Sequence, residues 1–150
     1  MIDVVIDYIS RSNSISDFDT FTLLQPTTPF RKLHTLSSLF DMFYSHPDSS
    51  SAFSVIDVDF FHPSKVGTIN SSGTFLPLIP NTEDNIDNKH KQPYYVVSGS
   101  FYLTSVRDLV DYNSFIGPNP KAVIESNADF VNIDNASDLH VAEYISMQSY

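Results

Sequence analysis

The segment "LLQPTTPFR", from Leu23 to Arg31, combines an apolar run with side chains that can hold a polar ligand. Gln25 offers an amide, Thr28 a hydroxyl and Arg31 a guanidinium. In open α/β sheets ligands bind outside the carboxyl ends of strands, and this segment follows a predicted strand. The segment is therefore a candidate binding loop. The alternative is a plain strand-to-helix turn, in which Thr28 is the helix N-cap and Pro29 lies in the first helical turn.

Two charged residues further along the chain could also contact a ligand. Lys65 lies in "FHPSKVG" and Asp134 in "VNIDNASD", between a predicted strand and a predicted helix. A carboxylate in that position could bind a hard divalent cation beside a phosphate. The alternatives are structural: a solvated lysine at the edge of a hairpin, and an aspartate that caps the following helix.

Several common kinds of site are missing from the sequence. There is no GxxxxGK[ST], GxSxG or GxGxxG motif, so no P-loop, hydrolase elbow or dinucleotide fingerprint is predicted. Without cysteine, the chain has neither disulfides nor thiolate metal sites. The histidines lack metal-ligand spacing, so none is assigned to a metal; they are His34, His46, His62, His90 and His140.

Charge and hydropathy argue against a nucleic-acid-binding, secreted or membrane-spanning protein. A formal net charge of -10 with eight Lys and Arg leaves no basic surface for a phosphate backbone, so nucleic acid is not an expected partner. The start "MIDVVIDYI" has no basic region typical of a signal peptide, and no run is long enough to span a membrane. A cytoplasmic protein with no membrane contact is expected, and its 150 residues fit one domain.

Alternating helix-like and strand-like segments predict an α/β fold. Ile2, Val5, Ile6 and Ile9 have amphipathic helical spacing. Further predicted helices contain Leu33 to Tyr44, "SVRDLVDY" and "ASDLHVAEYISM". Strands are expected at Phe21 to Gln25, Ala52 to Val58 and Phe130 to Ile133, in one central, mostly parallel mixed sheet flanked by helices, with "AVIE" as a further short strand.

The region from about residue 60 to residue 95 departs from this pattern. "VGTIN" and "TFLPL" flank "SSG" as in a β-hairpin, and the polar stretch "NTEDNIDNKHK" that follows is typical of a loop. The sequence therefore predicts a single domain over residues 1–150 with a protruding hairpin arm.

Four segments in order resemble the motifs of the CMP-sialic acid synthetases, or acylneuraminate cytidylyltransferases. They are "LLQPTTPFR", "HPSK", "KQPYYVVSGSFYL" and "VNIDNASDLHVAE". The family's versions are approximately LLQPTSPLR, HP-x-K, RQ-x-P-x-Y-x-x-NGAIY and IDID-T-x-x-D-x-x-x-AE. Several motifs in sequence are far more specific than one short match. The resemblance implies a Rossmann-like fold of the nucleotide-diphospho-sugar transferase type.

The resemblance also implies a reaction and a set of residue roles. Family members transfer CMP from CTP to a nine-carbon 2-keto acid sugar such as sialic, legionaminic or pseudaminic acid, release pyrophosphate, use Mg²⁺ and form homodimers through the arm. Carried over residue by residue, Gln25 and Thr28 would line the sugar and nucleotide cleft, Arg31 would brace the loop, and Lys65 would reach the sugar.

The later motifs supply the remaining roles implied by the resemblance. Lys91 and Gln92 stand where the family has Arg-Gln and would contact the sugar carboxylate, and Tyr102 matches the tyrosine of NGAIY. Asp134 matches the second aspartate of the metal-binding pair, and Asn132 replaces the first. Gln25, Arg31 and Asp134 are the candidate catalytic residues.

The chain also departs from the family pattern. The glycine- and lysine-bearing loop that holds the CTP triphosphate in the family has no counterpart in these residues, and Ser98 replaces the asparagine before the glycine. The match begins at the helix before "LLQPT", so about a third of the family's domain is expected to be missing. Two interpretations follow: a cytidylyltransferase or its carboxyl-terminal portion, and a non-catalytic sugar-binding or dimerisation module.

Overall fold

A computed structural model describes residues 2–12, 15–16, 19–58, 61–79, 92–128 and 130–148. It divides the chain into two compact units. The first comprises Met1–Val55 and Val97–Tyr150, and the second comprises Ile56–Val96. The arm expected over about residues 60–95 falls within the second unit.

The order of helices and strands agrees closely with the sequence-based expectation. The helices are α1 (Ile2–Arg11), α2 (Leu33–Tyr44), α3 (Val106–Tyr112) and α4 (Ala136–Gln148). The strands are β1 (Thr20–Leu23), β2 (Ser51–Asp57), β3 (Gly67–Ile69), β4 (Phe75–Pro77), β5 (Tyr95–Ser105) and β6 (Lys121–Ile124). Among the described residues, no helix has the length and apolar character needed to cross a membrane.

Four strands form one mixed sheet in the order β1-β5-β2-β6. Strand β6 runs parallel to β2, with Phe53 opposite Ala122. Strand β1 runs antiparallel to β5, with Leu23 opposite Tyr102. The predicted α/β class is confirmed.

Apolar side chains pack on both faces of this sheet. On one face, α2 contributes Leu39, which is fully buried and packs with Ala52, Phe101 and Leu103. Burying such a leucine side chain contributes about 2 kcal/mol to folding. On the other face, Ile9 of α1 packs with Val106 and Leu109, beside the half-buried rings of Phe21 and Phe115. These two apolar layers pack against β1 and β5, the strands from which the loop after β1 extends and which it contacts.

The strand predicted at Phe130 to Ile133 is wrong. These residues have no strand structure; Phe130 N–H donates to Asn127 O at 3.2 Å, and Ile133 N–H donates to Thr27 O at 2.8 Å. The edge strand beside β2 is β6. The segment is attached to the candidate binding loop rather than to the sheet.

The second unit contains the predicted hairpin. Strands β3 and β4 pair antiparallel, with Thr68 opposite Leu76. The turn closes through a bond from Gly73 N–H to Asn70 O, at 3.0 Å, and Gly73 adopts a positive φ of 82°. The predicted polar loop "NTEDNIDNKHK" lies outside the described residues.

Candidate active site

The loop between β1 and α2 is a folded turn and not a helix cap. Thr28 N–H donates to Gln25 O at 3.2 Å, whereas α2 begins only at Leu33, with Lys32 as an N-cap that makes no side-chain capping bond. The alternative in which Thr28 is the N-cap and Pro29 lies in the first helical turn is therefore wrong. The Thr28 hydroxyl donates back to Gln25 O at 3.0 Å, within the turn, and the helix begins only after Lys32.

Arg31, the last residue of the motif, holds the loop together through hydrogen bonds to loop carbonyl groups. Its Nη1 donates to Gln25 O at 2.6 Å and to Thr28 O at 2.7 Å. Thr28 is only 2% exposed, and its hydroxyl lies 3.0 Å from Gln25 O and 3.4 Å from Gly99 O. These contacts fix two loop carbonyls with one charged donor. Thr28 is thus placed to support the loop, with its hydroxyl directed at protein carbonyls.

The Gln25 amide lies over Gly99 of β5. Gly99 has a positive φ of 82°, and a Cβ atom built on it would lie 2.6 Å from Gln25 Oε1. A side chain at position 99 would therefore need both a strained backbone and the space that the amide fills. The first and third motifs of the sequence are in direct contact here.

The fourth motif reaches the same loop through the bond between Ile133 and Thr27. Beside it, Asn132 Nδ2 donates to Asp134 Oδ2 at 2.8 Å. Asn132 Oδ1 is buried and has no hydrogen-bond partner among the described residues. Asp134 itself is exposed. Asp134 thus has an exposed carboxylate, and Asn132 has a side-chain oxygen that accepts no hydrogen bond from the described residues.

Helix α4 is capped by residues other than Asp134. Asn135 Oδ1 accepts from Ser137 N–H at 2.8 Å and from Asp138 N–H at 3.2 Å, while Asp138 Oδ2 accepts from Asn135 N–H at 3.0 Å. This reciprocal pair is a capping box, which the spacing of Asn135 and Asp138 could have revealed in the sequence. The N-cap role considered for Asp134 is wrong, and its carboxylate is left facing solvent.

Tyr102 lies on the face of β5 that carries α1 and α3. Its ring centroid is 6.2 Å from that of Phe115, which in turn stacks on Phe21 at 5.9 Å. Burial in this aromatic layer raises the pKa of the Tyr102 hydroxyl above its ordinary value, because it disfavours the phenolate. Tyr102 is therefore a neutral hydrogen-bond donor at neutral pH.

Two other predicted sugar contacts, Lys65 and Gln92, lie in the second unit. Lys65 ends a short 3₁₀ helix, Pro63–Lys65, whose N-cap is His62. The His62 ring connects this helix to the backbone of Gln92, with Nε2 3.2 Å from Gln92 O. Lys91 lies outside the described residues.

A buried pair of serines was not anticipated from the sequence. Ser54 of β2 and Ser98 of β5 have their Oγ atoms 2.6 Å apart, and Ser54 Oγ also accepts from Phe101 N–H at 3.1 Å. Ser98 is 4% exposed. The residue that replaces the family's asparagine therefore points into the protein. Only the packing of β2 against β5 reveals this, because serine is common at exposed and buried positions alike.

The described residues contain no group of three or more His, Cys, Asp or Glu side chains that could hold a metal ion. The resemblance in the fourth motif assigns the metal pair to Asn132 and Asp134, and nothing in the described residues adds a third ligand of these types. A site built on them would have a single carboxylate.

Comparisons with known proteins support the resemblance in the motifs. The chain is 26% identical over 146 residues to CMP-N,N'-diacetyllegionaminic acid synthase of Legionella pneumophila, covering 95% of this chain and 61% of the relative. It is 23% identical over 145 residues to N-acylneuraminate cytidylyltransferase of Streptococcus agalactiae, covering 95% of this chain and 33% of the relative. No family model matches the chain.

The fold is shared with a solved enzyme. The structure of CMP:2-keto-3-deoxy-manno-octonic acid synthetase complexed with CTP matches with a TM-score of 0.67 and 13% identity, over 99% of this chain and 68% of that one. The predicted resemblance and the nucleotidyltransferase fold are confirmed, and the named relatives are cytidylyltransferases. The chain spans less than two thirds of the length of both curated relatives.

Proposed function

We propose that this chain is the sugar-facing part of a cytidylyltransferase that transfers CMP from CTP to a nine-carbon 2-keto acid sugar. The observation that carries the proposal is the loop of residues 25–31, which contacts Gly99 and Ile133 together. Three separated motifs thereby meet at one place, as a binding cleft requires. The relatives act on sugars of this class by their names, which supports the same class of substrate here.

In the proposed reaction the anomeric hydroxyl oxygen of the sugar forms a bond to the α-phosphorus of CTP. The bond from that phosphorus to the bridging oxygen breaks, pyrophosphate leaves and the hydroxyl proton is released. Such a transfer depends mainly on positioning and on stabilising the charge of the phosphoryl group. The residues of this chain would supply the positioning of the sugar.

Gln25 is the residue that we place against the substrate. Its amide is half-buried and rests on Gly99, so it can offer hydrogen bonds from a fixed position. Arg31 and Thr28 hold the carbonyl groups around it and act as positioning residues. A loop fixed in this way loses little conformational entropy when a ligand binds.

Mg²⁺ is proposed as the cofactor, held by Asp134 and Asn132. Asn132 turns Nδ2 towards Asp134, and its unpartnered Oδ1 is buried, so the amide would have to rotate for both residues to hold one ion. After that rotation the Oδ1 of Asn132 and the exposed carboxylate of Asp134 would be oxygen ligands of the type that Mg²⁺ prefers. When bound, the ion would neutralise charge on the phosphates. One carboxylate in place of two makes the proposed site weak.

Two replacements favour the second candidate, a non-catalytic sugar-binding or dimerisation module. Asn132 removes a carboxylate from the metal pair, and Ser98, which replaces the family's asparagine, is buried with its hydroxyl against Ser54. The loss of a carboxylate weakens the proposed metal site, and both replacements leave the Gln25 loop intact. Sugar binding that remains without turnover when the amino-terminal region of the Legionella relative is supplied would distinguish this module from the enzyme.

Sugar binding by the chain tests both candidates. We expect N-acetylneuraminic acid or a legionaminic acid to bind in saturation-transfer NMR, and Gln25→Ala to weaken that binding about tenfold through loss of the amide hydrogen bonds. Ser38→Ala, on the exposed side of α2, is the matched control and should bind as the parent chain does. Equal binding by the Gln25 and Ser38 variants would overturn the assignment of the cleft.

A further inference from the structure

Both ring nitrogens of His62 are engaged within the second unit. Nδ1 lies 3.2 Å from Ser64 N and 2.8 Å from Ser64 Oγ, and Nε2 lies 3.2 Å from Gln92 O. A backbone N–H can only donate and a carbonyl can only accept. Nδ1 must therefore carry the lone pair and Nε2 the proton, which identifies one neutral tautomer.

The two bonds of the ring hold two different segments of chain. At Nδ1, His62 caps the 3₁₀ helix Pro63–Lys65, whose last residue also donates its N–H to His62 O at 2.8 Å. At Nε2, the ring holds the carbonyl of Gln92, thirty residues further along the chain. The ring also packs edge-on against Tyr94, with centroids 4.9 Å apart. His62 is thus fixed on three sides.

We infer that His62, as its Nε2–H tautomer, is a positioning residue that sets the separation of Lys65 and Gln92. The inference rests on the proposed function where it treats these two residues as contacts for an acidic sugar. A 3₁₀ helix of three residues has little stability of its own, so its cap and its attachment decide where the Lys65 backbone lies. Fixing both residues before binding lowers the entropic cost of ordering them around a ligand.

Three substitutions separate the two bonds. In His62→Asn the side-chain oxygen can replace Nδ1 as the cap, but the bond to Gln92 is lost. In His62→Gln the side-chain amide can replace Nε2 as the donor to Gln92, but the cap is lost. His62→Ala removes both. His34→Gln, at an exposed position of α2, is the matched control.

Nitrogen-15 NMR of the ring and backbone, followed by titration with N-acetylneuraminic acid, tests the inference. We expect ring shifts of a single Nε2–H tautomer, a loss of order at Lys65 in the Gln variant and at Gln92 in the Asn variant, and about tenfold weaker sugar binding in the Ala variant. The control should match the parent chain in every measurement.

Failure of the inference is distinguishable from failure of the proposed function. A ring in the Nδ1–H tautomer, or Lys65 and Gln92 amides that do not respond to His62→Ala, would overturn the inference whether or not sugar binds. Unchanged sugar affinity in the Ala variant would overturn it as well. If the parent chain binds no such sugar, the proposed function fails and the NMR response alone supports or rejects the positioning role.

Discussion

The side-chain oxygen of Gln25 occupies the space that a Cβ atom on Gly99 would need, 2.6 Å from the position of that atom. This contact joins the loop after β1 to the middle of β5. The loop is therefore attached to the sheet although it belongs to no helix or strand.

Gly99→Ala should displace the Gln25 side chain, whereas a matched glycine substitution elsewhere should not. Gly73 has the same positive φ of 82° but nothing within 4 Å of a built Cβ. Both alanine variants should therefore lose about 1–2 kcal/mol of stability to backbone strain, but only Gly99→Ala should push the flexible Gln25 side chain out of its position. Chemical denaturation should give similar free energies of unfolding for the two variants, and NMR should show a shifted Gln25 side-chain amide in the Gly99 variant alone. An unshifted Gln25 amide in Gly99→Ala would show that Gln25 does not rest on Gly99.

Ser98→Asn should destabilise the chain although it restores the family's residue. Ser98 is buried against Ser54, and a larger amide would overfill this space at a cost of about 1–3 kcal/mol. Ser38→Asn, at an exposed position, should change the free energy of unfolding by less than about 0.5 kcal/mol. A Ser98 variant as stable as the parent chain would mean that the site has room for the asparagine.

Divalent metal binding should depend on Asn132 and Asp134 in opposite directions. Asn132→Asp adds a second carboxylate and should strengthen Mg²⁺ or Mn²⁺ binding, while Asp134→Ala should abolish it. Asp41→Ala, an exposed carboxylate of α2, is the control and should leave binding unchanged. Titration calorimetry gives the affinities. Equal affinity in the parent chain and both site variants would remove Asn132 and Asp134 from the proposed site.

The hairpin of the second unit is expected to mediate a symmetric dimer. It exposes apolar side chains, with Ile69 72% and Leu78 66% exposed, and pairing of identical surfaces is the commonest assembly of this kind. Light scattering at tens of micromolar should give a dimer mass, and Ile69→Asp should shift it towards the monomer. The exposed Leu33→Asp is the control. A monomeric parent chain would contradict the expectation.

The sequence predicts the helices and most strands because their apolar spacing is regular. Leu36 and Phe40 of α2, for example, pack on the sheet core as their period requires. It fails at Phe130 to Ile133, where an apolar, strand-like segment forms a tertiary bond to Thr27 instead of a ladder. Local propensity cannot show which backbone partner a short segment will find.

In the candidate site too, the sequence predicts some features and not others. The motifs identify Gln25 and Arg31, but the bonds from Arg31 to the carbonyls of Gln25 and Thr28 depend on the path of the loop. The Ser54–Ser98 pair and the two-sided bonding of His62 join residues distant in sequence, and nothing in their local pattern predicts them. The capping box of α4 could have been predicted, because Asn135 and Asp138 have the three-residue spacing of that motif in the sequence.

Pyrophosphate release from CTP tests the central claim most directly. The 150-residue chain has a net charge of -10 and no basic, glycine-rich loop to hold a triphosphate, so we expect no release by this chain alone with sialic, legionaminic or pseudaminic acid. Release that depends on Mg²⁺ should appear when the amino-terminal region of the Legionella relative is supplied in cis or in trans, and Gln25→Ala should reduce it while Ser38→Ala should not. Turnover by the chain alone would contradict the expected need for a separate phosphate-binding element, and no turnover in any combination would contradict the assignment of this chain to cytidylyl transfer.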